Sequence, residues 1–375
     1  MAVIAVTKER RDGETRVAMT PDTAKKLIAS GFAVMVESGA GLASSYPDAD
    51  YVAAGAELGD LAPVLAKADI LFKVRGPTAP EIAGLKADAI VVGMLNPHQD
   101  KTTLEALAAR GLSAFSMEFV PRITRAQVMD VLSSQANLAG YRAVLEASHA
   151  YGKVLPMMMT AAGTVAAAKV FVMGAGVAGL QAIATARRLG AVVTATDVRP
   201  AAKEQVESLG AKFVAVEDEE FKAAETAAGY AKEMSAEYQA KQAALVSEHI
   251  RKQDIVITTA LIPGRPAPRL VSAAQAASMR PGSVIVDLAV EQGGNVEGVV
   301  PGEVSETGGV KIVGYANLPG RIAADASALY ARNLLAFAGL FLNKDGAFAP
   351  DFEDEILKAA LVTQGGAVVH PALTR

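Results

Sequence analysis

Short apolar runs and amphipathic stretches alternate along this chain in two successive series. In the first third, Ala2–Val6, Ala33–Glu37, Ile70–Val74, Ile90–Gly93 and Ala114–Met117 read as buried strands, bounded by Gly, Asp or Pro. Pro21–Ser30 reads as an amphipathic helix, with Thr20 as N-cap and Pro21 at the first helical position. A second series predicts strands at Val170–Met173, Val192–Thr196, Lys212–Ala215, Ile255–Thr258, Val284–Asp287 and Lys311–Val313. Long helical stretches, Arg125–Tyr151 and Asp325–Phe341, join the two. Alternation of this kind predicts an α/β protein with two parallel, doubly wound sheets around an inter-domain cleft. The expected division is a first domain over 1–124 and 342–375, linking helices over 125–151 and 325–341, and a second domain over 152–324.

Composition narrows the function classes. With 36 Lys+Arg against 40 Asp+Glu, the net charge is -4, and no basic face is predicted for nucleic acid. No polybasic segment is present for an anionic membrane surface. The chain contains no Cys, which excludes disulfides, thiolate zinc sites and cysteine nucleophiles and favours a reducing cytoplasm. At the amino terminus the apolar stretch precedes Lys8, Arg10 and Arg11, the wrong order for a signal peptide. The longest uncharged stretches flank Lys169 and contain glycine, so neither reads as a membrane span.

The clearest motif is Gly174-Ala-Gly176-Val177-Ala-Gly179, directly after one predicted strand and before a helix. Gly174 suits a tight turn, Gly176 close approach of a pyrophosphate, and Gly179 close packing of helix on strand. An acid, Asp197, ends the next predicted strand, where a carboxylate receives the adenosine ribose hydroxyls and repels a 2′-phosphate. The pattern predicts a Rossmann-type dinucleotide site and favours NAD over NADP, although Arg199 lies close enough to weaken that preference. Gly39-Ala-Gly41 lacks the third glycine and reads as a turn. A second unusual segment, Pro121–Gln135, clusters Arg122, Arg125, Gln127, Asp130, Ser133 and Ser134. If helical, it would place Gln127, Asp130 and Ser134 on one face. That face reads either as solvated or as a polar clamp for a carboxamide and its ribose.

From these motifs the chain resembles the NAD(H)-binding subunit, or domain I, of proton-translocating NAD(P) transhydrogenases. The resemblance runs nearly end to end, through Glu14-Thr-Arg16-Val-Ala, Pro121–Gly140, Met159-Thr-Ala-Ala-Gly163, Gly174–Gln181, Asp197-Val-Arg199, Gly229-Tyr230-Ala-Lys232-Glu-Met234, Thr258–Gly264 and Val369-His-Pro-Ala-Leu373. It implies that Arg122, Gln127, Asp130 and Ser133 hold the nicotinamide and its ribose. Val177 would meet the pyrophosphate, Asp197, Val198 and Arg199 the adenosine ribose, and Leu261 the pocket wall. Gly229, Tyr230 and Gln242 would belong to or flank a loop closing over the nucleotide, with Tyr230 beside the reacting end. The resemblance further implies NADP(H) on a membrane-embedded partner, the beta subunit, and a homodimer with Asp325–Phe341 as an apolar candidate interface. It implies a place at the cytoplasmic face of the bacterial inner membrane, with no membrane insertion by this chain. Length favours the variant in which this domain is a separate polypeptide. No metal is expected.

A weaker resemblance extends to alanine dehydrogenase, whose carboxylate-binding pair would be matched by Arg16 and Lys73. Amino-acid oxidation moves a proton as well as a hydride and needs a base beside the substrate. The matching His position falls on Asn96, with His98 two residues on, and the matching Asp falls on Glu291. The remaining histidines, His149, His249 and His370, occupy no catalytic-looking motif. Hydride exchange between two nicotinamides needs no such base, only positioning and exclusion of water.

Overall fold

In the computed structural model, residues 1–222, 234–262 and 264–374 are described, and they form two compact units, Met1–Gln135 with Pro319–Arg375, and Ala136–Leu318. Strands β1 (Val3–Val6), β2 (Ala33–Glu37), β3 (Glu57–Gly59), β4 (Ile70–Arg75), β5 (Ile90–Met94) and β6 (Ser113–Ser116) of the first unit lie in the order β6-β5-β4-β1-β2-β3, all parallel. A tail hairpin, Leu361–Gln364 and Ala367–Val368, adds to β6 antiparallel. Helix α1 (Pro21–Ala29) starts where the sequence predicts: Thr20 and Thr23 close a reciprocal capping box, with Pro21 at the first turn.

Helix Ala323–Ala338 belongs to this unit's core. Tyr330, Leu334, Phe337 and Phe341 are fully buried, and the Phe115, Phe337 and Phe341 rings meet at 5.6–5.7 Å. Much of the apolar character of Asp325–Phe341, a candidate interface in the sequence, is therefore buried in this unit's own core. Phe337→Ala at this site is expected to cost about 3–5 kcal/mol of unfolding free energy, measurable by urea denaturation.

In an open α/β sheet the ligand crevice lies at the carboxyl ends of the strands where the order reverses. In the first unit that place, after β1 and β4, is filled by the chain's own ions. Lys73 Nζ, 1% exposed, donates to Glu81 at 3.0 Å, Thr7 Oγ1 at 3.1 Å and the Lys8 carbonyl at 2.9 Å, with Glu9 at 3.3 Å. Burial pushes the Glu9 carboxyl up despite Lys73 and the Val74 N–H. For Glu81 burial acts the same way, but Lys73, the Thr7 hydroxyl and the Thr78 N–H outweigh it and hold the group low. Glu14 is the strongest case: burial is overcome by Arg16 and Arg75, and its pKa falls from 4.5 to about 2. A depressed carboxylate stabilises the fold fully above its unfolded pKa and loses that contribution as pH falls toward its folded value. Glu14→Gln is therefore expected to cost about 3 kcal/mol at pH 7. The deficit should shrink between pH 4.5 and about 2, which denaturant titrations across that range would measure.

The second unit repeats the order. Hairpin strands β7 (Met158–Thr160) and β8 (Gly163–Val165) pair only with each other. The sheet comprises β9 (Lys169–Met173), β10 (Val192–Thr196), β11 (Lys212–Phe213), β12 (Ile255–Thr258), β13 (Val284–Asp287), β14 (Val304–Thr307) and β15 (Val310–Val313), ordered β11-β10-β9-β12-β13-β15-β14. Every pairing is parallel except β14 on β15, so both sheets carry an antiparallel edge that alternation alone did not predict. Helix α2 (Val131–Ala150) begins in the first unit and continues in the second. Within the second unit the main helices are α3 (Val177–Arg188) and α4 (Ala236–Ile250).

Candidate nucleotide-binding site

The glycine segment sits at the carboxyl end of β9, flanked by β10 and β12, where the second sheet reverses its order. Gly174 has φ +110°, a conformation that favours glycine, and its N–H donates to Thr196 O at 2.8 Å. A Cβ on Gly179 would overlap the Gly174 carbonyl oxygen, so close helix–strand packing requires glycine there. Gly176 differs: its φ is -75° and a Cβ would meet no heavy atom within 4 Å. That position is glycine without a fold-based reason, and the space it leaves opens before the amino end of α3. Among the described residues no side chain caps that end, and no acid occupies its first turn. The first N–H groups of α3 and the positive helix end therefore face this open space, an arrangement that favours an anion.

Two features the sequence reading missed hold this turn in place. Thr259, after β12, donates its hydroxyl to the Met173 and Gly174 carbonyls at 3.3 and 3.2 Å. Gly140 of α2 packs so tightly on α3 that a Cβ would overlap the Ala178 carbonyl. Only the sequence's small residues hint at either. Beyond Thr259, fully buried Asn295 accepts from Ala260 N–H at 3.1 Å and donates to Ala260 O and Pro268 O, both at 2.8 Å. Leu261, half-exposed, follows this anchored residue.

At the end of β10, both Asp197 oxygens are engaged. Oδ2 accepts from Ala175 N–H at 2.7 Å and Arg199 Nη2 at 3.0 Å; Oδ1 accepts from Arg199 N–H and Nε, both at 2.9 Å. Val198 beside it is exposed, as is Val177 at the start of α3. Gln242 bridges two neighbours, accepting from Val216 N–H at 2.9 Å and donating to Thr196 Oγ1 at 3.2 Å. Gly229 and Tyr230 lie outside the described residues.

In the first unit, the polar segment is not the helix that the i, i+3, i+7 spacing assumes. Thr124–Met129 forms 3₁₀ turns, and α2 starts six residues later than predicted, at Val131. The reason is Asp130, which accepts from Ser133 N–H at 2.9 Å and from its hydroxyl, an N-terminal cap that sets the helix start. Ser134 turns inward to Asn333 at 2.8 Å and leaves the polar group. Arg122 and Gln127 are exposed, and Asp130 and Ser133 half-buried.

Arg16 and Lys73, the carboxylate-binding pair suggested by alanine dehydrogenase, are both engaged by the chain itself. Arg16 donates Nε and Nη2 to Glu14 at 2.8 and 2.7 Å and Nη1 to Gln135 at 2.8 Å. Lys73 is enclosed as described above. Asn96, at φ +50°, donates to Gln99, and His98 packs edge-on against Phe119 at 5.4 Å. His249 lies against Phe171 and Thr194; burial, then the nearby lysines, push its pKa down.

Two family models match, the alanine dehydrogenase/PNT N-terminal domain over residues 5–139 and its C-terminal domain over 143–371. The chain belongs to the alanine dehydrogenase/PNT family. Within it, similarity to transhydrogenases is much greater. The first of the polypeptides that make up the NAD(P) transhydrogenase subunit alpha of Rhodospirillum rubrum is 53% identical, over 99% of this chain and 98% of that protein. A crystal structure of transhydrogenase from Sinorhizobium meliloti superposes with a TM-score of 0.90 at 58% identity, over 98% of this chain and all of the other. An L-alanine dehydrogenase structure follows at 0.83 and 27%, covering 99% and 98%. Two Rossmann-like units are thus common to the family. Among the described residues no helix is long and apolar enough to cross a membrane, and no group of acids or histidines has the arrangement of a metal site.

Proposed function

We propose that this chain is the NAD(H)-binding alpha subunit of a proton-translocating transhydrogenase, exchanging hydride with NADP(H) held on a membrane-embedded beta subunit. The observation that carries the reading is Gly176: an opening with no structural need for glycine, before an uncapped helix, one strand away from Asp197. The α3 N–H groups and Val177 receive the pyrophosphate, and Asp197 and Val198 the adenosine ribose, with Arg199 beside them on the same loop. Leu261 lines the pocket, and Gly229, Tyr230 and Gln242 belong to or flank a loop that closes over the nucleotide. Arg122, Gln127, Asp130 and Ser133 orient the carboxamide and its ribose.

NAD(H) supplies the hydride chemistry when bound; the chain supplies position and dryness. Neither carbon that gives or receives a hydride has a proton to exchange, which agrees with a segment built from Arg, Gln, Asp and Ser and lacking a histidine base. The subunit works as a homodimer at the cytoplasmic face of the inner membrane, coupled to proton flow through its partners.

The test is the purified chain with NAD and a panel of amino acids, with and without the NADP-binding partner. Hydride exchange between nucleotides only when the partner is added supports the proposal; alanine oxidation by the chain alone overturns it in favour of an alanine dehydrogenase-like oxidoreductase. Separately, Asp197→Ala should weaken NADH about tenfold and reduce its preference over NADPH. Unchanged dissociation constants for both would show the acid is misplaced.

A further inference from the structure

A carboxylate offers about four lone-pair positions. In this chain Asp197 has four donors on it: two main-chain N–H groups, from Ala175 and Arg199, and two from the Arg199 guanidinium. The guanidinium contacts are 2.9 and 3.0 Å, one to each oxygen, in the parallel fork that suits a carboxylate best. The Asp197 side chain is only 8% exposed beneath it, whereas that of Arg199 is 35% exposed. Arg199 Nη2 also donates to the Ala175 carbonyl at 3.2 Å, so the same side chain spans from the acid to the glycine turn. A vicinal diol presented to Asp197 would need the acceptor positions that the guanidinium holds. The two main-chain donors are fixed by the fold; the two side-chain donors can leave by rotation of a partly exposed arginine.

We infer that Arg199 is a built-in competitor for the nucleotide's ribose diol, an intramolecular cap that must be displaced from Asp197 before adenosine is held. The inference rests on the NAD(H) reading above and reverses the sign expected of a simple contact residue. If Arg199 only touched the ligand, removing it would weaken binding. As a competitor, it holds part of the chain in an incompetent state and multiplies the apparent dissociation constant by the reciprocal of the fraction left competent. The cap also bears on specificity. Its cation, resident beside the acid, offsets the repulsion that a bare carboxylate would exert on a 2′-phosphate, so uncapping should penalise NADPH while helping NADH.

The experiment measures dissociation constants of NADH, NADPH and reduced nicotinamide mononucleotide, which lacks the adenosine, for wild type, Arg199→Ala and Arg199→Gln. A partly exposed ion pair of this kind predicts NADH binding about two- to fivefold tighter in Arg199→Ala, with slower release. The mononucleotide should be unchanged, and Arg199→Gln, which keeps donors without the charge, should fall between. Thermal midpoints confirm that each variant is folded. Weaker or unchanged NADH binding by folded Arg199→Ala and Arg199→Gln overturns the inference, as does equal tightening of the mononucleotide. Failure of the wild-type chain to bind NADH would instead overturn the function on which it rests.

Discussion

Gly176→Ala is expected to leave the fold intact and to weaken NADH binding about a hundredfold or more. A methyl group at this position meets no atom of the described residues within 4 Å, and the backbone φ of -75° suits alanine as well as glycine. Unfolding should therefore be unchanged, or slightly harder, because alanine restricts the unfolded chain. What the methyl does occupy is the opening before the uncapped amino end of α3. A pyrophosphate pushed outward by a methyl radius loses several charge-assisted N–H contacts together, each worth about 1.5–3 kcal/mol. Gly179→Ala makes the control. Its Cβ overlaps the Gly174 carbonyl, so that variant should lose stability and nucleotide binding together. The chain has no Trp, so NADH fluorescence enhancement can be followed without tryptophan background, beside thermal denaturation of each variant. Normal NADH affinity in Gly176→Ala would exclude the glycine turn as the phosphate cradle.

That contrast between two glycines of one motif shows where the sequence was legible. Strands such as Ala33–Glu37, Val192–Thr196 and Ile255–Thr258 have the predicted bounds, because buried parallel strands read as apolar runs and each of these has a Gly or Asp within two residues of an end. Sheet edges were not legible: β3 and β14 carry mixed, partly exposed residues, and the tail hairpin, though its first strand is buried, pairs with β6 far away in the chain. The start of α2 was misread because Asp130 looked like part of a helical face, when its short carboxylate caps the next residues instead. Asp325–Phe341 was rightly apolar, but periodicity does not distinguish a face turned to the core from one turned to a second subunit. The engagement of Asp197 by Arg199 depends on a rotamer choice, which no spacing reveals. Lys73 and Arg16 similarly look available in sequence; the fold delivers Glu9 and Glu81 to Lys73 and Gln135 to Arg16.

The polar segment of the first unit gives the other large effect. Gln127→Asn is expected to lower the rate of hydride transfer about a hundredfold while changing the NADH dissociation constant by no more than about threefold. Gln127 projects outward from a turn that is itself well anchored. Ala126 and Met129 on either side are buried, Asn333 donates to Val128 O at 2.8 Å, and Arg125 pairs with Asp354 at 2.7 Å. Such a turn cannot advance to make up for a side chain one methylene shorter. The amide group is preserved, so hydrogen-bonding capacity survives, but its reach falls by roughly 1 Å. Misplacement of that size is enough to lose near-attack geometry at the nicotinamide while most of the nucleotide's binding contacts stay intact. Single-turnover measurements with the NADP-binding partner separate the two quantities: transfer rate from the nucleotide exchange, affinity from NADH titration. Parallel loss of both would assign Gln127 to plain binding. Loss of neither would remove the segment from the reacting end, since the anchored turn leaves no other route for its side chain to act.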